Sequence, residues 1–119
     1  MHEYHKGIAI LYHGGCPDGL GGAYAAWKKF GDTAEYIPAK HGHPVPENLD
    51  NKNIYFIDFC YPQKTMDEIA KIAQSVIVLD HHEGVSAVAT KFPGNFDSSH
   101  SGAVIAWNYF HPDTPVPKL

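Results

Sequence analysis

The chain reads as an α/β fold, a parallel β-sheet with helices on both of its faces. Short apolar, β-branched runs alternate with stretches whose apolar residues recur at helical spacing, the pattern of repeated β-α-β units with right-handed crossovers. The runs are apolar enough to be buried strands. Three of them, residues 8–12, 54–57 and 75–79, stop abruptly at His, Cys or Asp. Packing alone does not explain that recurrence, and ligands of open parallel sheets bind outside the carboxyl ends of the strands.

The elements follow in order. Residues 7–12 are a strand. Residues 19–30 are a helix ended by Gly31, with a small N-terminal face (Gly19, Gly21, Gly22, Ala23) that allows close approach to the sheet or a ligand. A strand over 34–38 leads to a loop over 39–51, marked by His41-Gly42-His43-Pro44-Val45-Pro46. Residues 53–58 are the next strand. Residues 62–74 are a helix with the apolar stripe Met66, Ile69, Ala70 and Ala73. A strand covers 75–79. Residues 85–96 are ambiguous, with Ala87-Val88-Ala89 suggesting one more short strand. Asp97-Ser98-Ser99-His100-Ser101 is a capping region for a last helix, 102–110. The domain is therefore read as residues 1–110, incomplete at its C-terminal side. Residues 111–119 are a Pro-rich tail or a linker cut short. Trp27 and Trp107 are read as core or interface residues.

Composition narrows the function classes. A chain of 119 residues with 44% hydrophobic content can bury one real core. No apolar run approaches the roughly 20 residues that span a bilayer, and Met1-His2-Glu3-Tyr4-His5-Lys6 lacks the apolar centre of a signal peptide. The expectation is a cytoplasmic protein with no membrane partner. The net charge is −4 and all nine cationic residues are lysines, which argues against a general nucleic-acid surface and leaves no guanidinium to clamp phosphate. Cys16 and Cys60 form neither a CxxC pair nor a disulfide framework. His2, His5 and His111 are read as incidental, and His41 and His43 as solvated loop residues.

The chemistry gathers at the three strand ends: His13-Gly14-Gly15-Cys16-Pro17-Asp18-Gly19, Asp58-Phe59-Cys60 and Asp80-His81-His82-Glu83-Gly84. A two-metal hydrolytic site needs oxygen ligands, imidazoles and an Asp able to bridge two cations. His13, Cys16, Asp18, Asp58, Asp80, His81 and His82 are the candidates, with Asp58 on a central strand between the others. The glycine-rich turn over 14–22 feeds a helix N-terminus and suits a phosphate, although it is neither a Walker A motif nor a GxGxxG fingerprint. Bland readings stand beside these: Asp58 as a turn cap, His81 and His82 as surface histidines, Cys16 as an inert thiol.

In this order and at these strand ends, the motifs resemble the DHH phosphoesterases, the family of RecJ-type exonucleases, oligoribonucleases and cyclic-dinucleotide phosphodiesterases. Asp97-Ser98-Ser99-His100-Ser101-Gly102-Ala103 is a fourth similar feature, and the resemblance covers roughly residues 7–110. It implies a Rossmann-like DHH domain holding two divalent ions, usually Mn(2+). It puts His13 and Cys16 on one ion, Asp18 and His81 on the other, and Asp58 between them. Asp58, His81 and His82 would be the catalytic residues, with His82 contacting the scissile phosphate or standing behind the metal ligands. Asp80 would orient a neighbouring imidazole. Gly14, Gly15 and Gly19 of the turn, with Ser99 and Ser101 before the last helix, are candidates to support the ligands or contact the phosphate, the serines being helix caps first.

The implied activity is metal-dependent hydrolysis of phosphodiester bonds in short oligonucleotides or small nucleotides by a two-metal mechanism. Two departures qualify the match. Cys16-Pro17-Asp18 stands where the family commonly has Asp-x-Asp, and a thiolate favours Zn(2+) or Fe(2+) over manganese. The family also has a further ligand Asp downstream and a smaller C-terminal substrate-binding domain. Asp113, the one acid after Asp97, does not fit that ligand. The expectation is a shortened form that either acts as a homodimer or lacks its C-terminal domain. The alternative is a non-catalytic metal- or nucleotide-binding fragment.

Overall fold

In the computed structural model, which describes residues 6–118, strand and helix alternate along the chain. The elements are β1 (Ile8–His13), α1 (Pro17–Phe30), β2 (Ala34–Ala39), β3 (Asn53–Ile57), α2 (Gln63–Ile72), β4 (Ser75–Asp80), α3 (Ser86–Ala89), β5 (Gly94–Phe96) and α4 (Gly102–Phe110). His2 and His5 lie outside the described residues. The five strands form one all-parallel sheet in the order β2-β1-β3-β4-β5. Successive units leave the β1/β3 pair in opposite directions. That pair is the switch point of the topology, where a crevice opens at the carboxyl edge.

The period of two along the strands sorts their side chains onto two faces. Leu11, Ile54, Phe56, Val76 and Val78 meet Met66 and Ile69 of α2 and Ala89 of α3. Ile10, Ile57 and Leu79 meet Ala25 and Ala26 of α1 and Ile105, Ala106 and Phe110 of α4. The sheet is therefore covered on both sides, as the sequence predicts. Among the described residues, no helix is long and apolar enough to cross a membrane.

Several boundaries differ from expectation for local reasons. β1 runs one residue further, to His13, and β4 to Asp80. α1 starts at Pro17, whose fixed φ suits the first helical position. α2 is shorter, Gln63–Ile72. β3 ends at Ile57, because Asp58 turns to φ +61. Residues 87–89 are not a strand: they belong to the short helix α3, which follows a 3₁₀ turn over Glu83–Val85, and the fifth strand lies later, at Gly94–Phe96. Trp107 is core, but Trp27 is half exposed on α1.

The Pro-rich tail makes contacts with the helices. Trp107 Nε1 donates to the Thr114 carbonyl at 2.9 Å, and His111 Nε2 lies 2.9 Å from the Ala25 carbonyl. His111, read as incidental, thus joins the end of α4 to α1. Val116 and Pro117 reach an apolar groove between α1 and α4, lined by Leu20, Tyr24 and Trp107.

Candidate metal centre

Each expected ligand arrives at the carboxyl edge on a rigid element. β1 delivers His13 on its last residue, and the following turn carries Cys16 and Asp18 into the start of α1. Gly19 makes this possible, because a side chain there would strike the His13 carbonyl. β3 delivers Asp58, whose backbone N–H donates to the Leu79 carbonyl at 2.8 Å. Its left-handed φ of +61 is uncommon for a residue with a side chain, although Asp tolerates it better than most. β4 ends in Asp80, followed at once by His81 and His82.

Asp58 sits at the centre and is only 1% exposed. Its two oxygens meet different groups. Oδ1 lies 2.8 Å from His81 Nε2, which also approaches Asp18 Oδ2 at 3.4 Å. Oδ2 faces His13 Nδ1 at 3.5 Å and Cys16 Sγ at 3.7 Å. Burial pushes the Asp58 carboxyl above its ordinary pKa, the nearby Asp18 charge adds to the rise, and His82 and His81 oppose it.

Asp80 is a buried hub. Its Oδ1 accepts the backbone N–H groups of His81 (2.7 Å) and His82 (3.2 Å) and lies 2.8 Å from His82 Nδ1. The imidazole it orients is therefore that of His82. A neutral His82 with its proton on Nδ1 donates to Asp80 and keeps the Nε2 lone pair free.

Helix α4 closes the site from the other side. Asp18 accepts from the backbone N–H groups of Gly102 (3.2 Å) and Ala103 (3.4 Å), capping a helix 84 positions away in sequence. A Cβ on Gly102 would lie 2.5 Å from Asp58 Oδ1. Gly102 is thus a site residue that sequence reasoning missed. The hints were its place directly after the capping serine and within the Asp97–Ala103 stretch that carries part of the resemblance.

The structure brings His13, Cys16, Asp18, Asp58, Asp80, His81 and His82 together. The phosphate-side expectations fare differently. The Gly14 N–H is committed to the Ala39 carbonyl at 2.9 Å. Ser99 spends its hydroxyl and its N–H on Asp97 Oδ1, at 2.6 and 2.9 Å. Ser101 caps α4, accepting from the Val104 N–H at 3.2 Å. Cys60 lies in the core against α2, where burial first and Asp80 second push its thiol up to about 12, leaving it an inert thiol.

Two groups of these side chains could hold a metal ion. His13, Cys16 and Asp58 each bring one ligand atom within 4.8 Å of the others, and so do Asp58, Asp80, His81 and His82. His13 Nδ1 and Asp80 Oδ2 are buried with no hydrogen-bond partner. Unpaired buried polar atoms are costly, and a cation bound beside Asp58 Oδ2 would satisfy the first of them.

No protein-family model matches the chain, and no solved structure matches it. The chain is similar to an uncharacterized protein of Acanthamoeba polyphaga mimivirus, 35% identical over 128 residues, a match covering 92% of this chain and 30% of the relative. The chain thus spans about 30% of the length of the curated relative it matches.

Proposed function

We propose that this is a DHH-type phosphoesterase domain, acting in the cytoplasm, that hydrolyses phosphodiester bonds in short oligonucleotides or small nucleotides. The observation that carries this reading is the split environment of Asp58: one buried carboxylate with His13 and Cys16 at one oxygen and His81 at the other. His13 and Cys16 would hold one cation, Asp18 and His81 a second, and Asp58 would contact both. The pair, manganese or, through the Cys16 thiolate, zinc or iron, would supply an activated water and neutralise charge on the phosphate.

The chain's own residues do the rest. Asp80 fixes the His82 ring through Nδ1, so that in the imidazolium form Nε2–H can donate to a phosphate oxygen. The burial of Asp58 and Asp80 holds both carboxylates in place, so the ligand geometry exists before substrate arrives. The α4 N-terminus holds Asp18 in place through two backbone N–H groups.

One specific observation favours a second reading, a metal- or nucleotide-binding module without turnover. Both Asp18 oxygens already accept from α4, which leaves less of that carboxylate for a cation.

The test is hydrolysis of a generic phosphodiester with manganese and with chelator, beside Asp58→Asn, together with calorimetric titration of Mn(2+). The expected result is manganese-dependent turnover that falls by about a hundredfold or more in the variant, with two ions bound by the wild type. Two bound ions and no turnover would favour the binding module. An active Asp58→Asn would sink both readings of the centre.

A further inference from the structure

Lys40 follows β2 directly, at the sheet edge that carries His13, Asp58 and Asp80. Two contacts fold its loop over the His13 side of the centre. The Gly14 N–H ties the His13–Cys16 turn to the end of β2 through the Ala39 carbonyl. One residue on, the His41 ring lies 4.7 Å from that of Phe59, which stacks on His13 at 6.1 Å. His41 thus touches Phe59 while staying exposed to solvent, as expected of a loop histidine.

Between these contacts the Lys40 side chain crosses the turn. A Cβ on Gly15 would lie 3.3 Å from both Cε and Nζ of Lys40. Gly15 is left-handed, at φ +76, and leads directly to Cys16. No carboxylate among the described residues pairs with Lys40, whereas Lys52 is buried against Glu35. The centre is rich in carboxylates, and the chain has no arginine. A phosphodiester drawn to it needs a cation for the oxygens that metals do not reach, and a lysine ammonium serves as a point charge for phosphate.

The geometry points to Lys40 as the residue that positions the anion: its ammonium donates to a non-bridging phosphate oxygen over the Gly14–Gly15 turn, with the His41 ring as the adjoining wall. For the reaction this rests on the phosphoesterase reading. For anion binding it stands on the loop geometry.

The test compares wild type, Lys40→Ala and Lys40→Arg, using inorganic phosphate as the calorimetric probe with and without Mn(2+), and kinetics on bis(4-nitrophenyl) phosphate. Losing one charge-assisted hydrogen bond at an exposed site should weaken phosphate binding by about tenfold. KM should rise by a similar factor while kcat and Mn(2+) affinity hold, and Lys40→Arg should recover most of the loss. Unchanged phosphate affinity in Lys40→Ala, absence of phosphate binding by wild type, or a parallel loss of Mn(2+) would overturn the assignment. Phosphate binding through Lys40 without any turnover would sink the phosphoesterase reading and leave this one standing. Manganese-dependent turnover indifferent to Lys40→Ala would do the reverse.

Discussion

The two oxygens of Asp58 occupy differently finished halves of one site. On the Oδ1 side the protein supplies the partners: His81 at 2.8 Å, Asp18 beyond it, and Gly102 packed close. On the Oδ2 side the neighbours stand back, His13 at 3.5 Å and Cys16 at 3.7 Å, and His13 Nδ1 is buried without a hydrogen bond. The first half is held by short contacts within the fold, whereas the second has longer contacts and one unpaired nitrogen. Asp97 shows what a carboxylate looks like when the protein completes its surroundings. The Ser99 hydroxyl, the Ser99 N–H and the His100 ring together hold it down at about 2, while burial pushes Asp58 up.

The comparison breaks most severely at Gly102. In Gly102→Ala the new methyl meets Asp58 Oδ1 at 2.5 Å and the Asp58 Cβ and Cγ at 2.8 Å. Relief requires moving a buried carboxylate or the start of α4. Overpacking of this kind costs about 3 kcal/mol, read as a lower denaturant midpoint at unchanged m. The variant should also lose Mn(2+) binding, since the Oδ1 half must shift. A variant as stable as wild type would mean that α4 is not clamped against the site.

A paired deletion measures the asymmetry directly. With metal chelated, His81→Ala leaves Asp58 Oδ1 buried without its short hydrogen bond and should cost about 2 kcal/mol. His13→Ala removes only a long contact to Oδ2 and should cost about 1 kcal/mol or less. With Mn(2+) present both variants should bind the ion far more weakly. Equal costs without metal would show that the two halves are equally finished.

Much of this was legible in the sequence because it is local. Apolar runs ending at Asp80 and His13 place both at one edge of a parallel sheet, and the serine before Gly102 marks a helix start that Ser101 does cap. What escaped depends on elements far apart in the chain. Nothing near Asp18 shows that its carboxylate caps α4, and nothing near Gly102 shows that Asp58 lies against it. The positive φ of Asp58 belongs to the same class, since a neighbouring strand receives its N–H. The short helix α3 was missed because four residues hold too little periodicity to separate helix from strand, and a β-branched Val88 tilts the reading the wrong way. Loop residues Lys40 and His41 have no periodicity at all. Only the fold shows that Lys40 lies against Gly15 and His41 against Phe59.

The smallest expected effect has the opposite sign and concerns Asp58 itself. Its carboxyl is raised above its ordinary value of 3.8, chiefly by burial and then by the charge of Asp18. A raised folded pKa means that the native state holds this proton more tightly than the unfolded chain. The associated stability is therefore full below pH 3.8 and lost as pH rises through the folded value. Where Asp58 is ionised, the metal-free protein carries a buried charge that opposes folding, which Asp58→Asn removes while keeping an oxygen for His81. With chelator at pH 7, Asp58→Asn should unfold at a higher denaturant concentration than wild type, and the gap should close as pH falls toward 4. Saturating Mn(2+) should reverse the order, because only the wild type gains binding energy from the ion. A wild type already more stable than Asp58→Asn under chelation would mean that His81, His82 and Asp18 compensate the buried charge without any cation, and the Oδ2 half would need no ion to be complete.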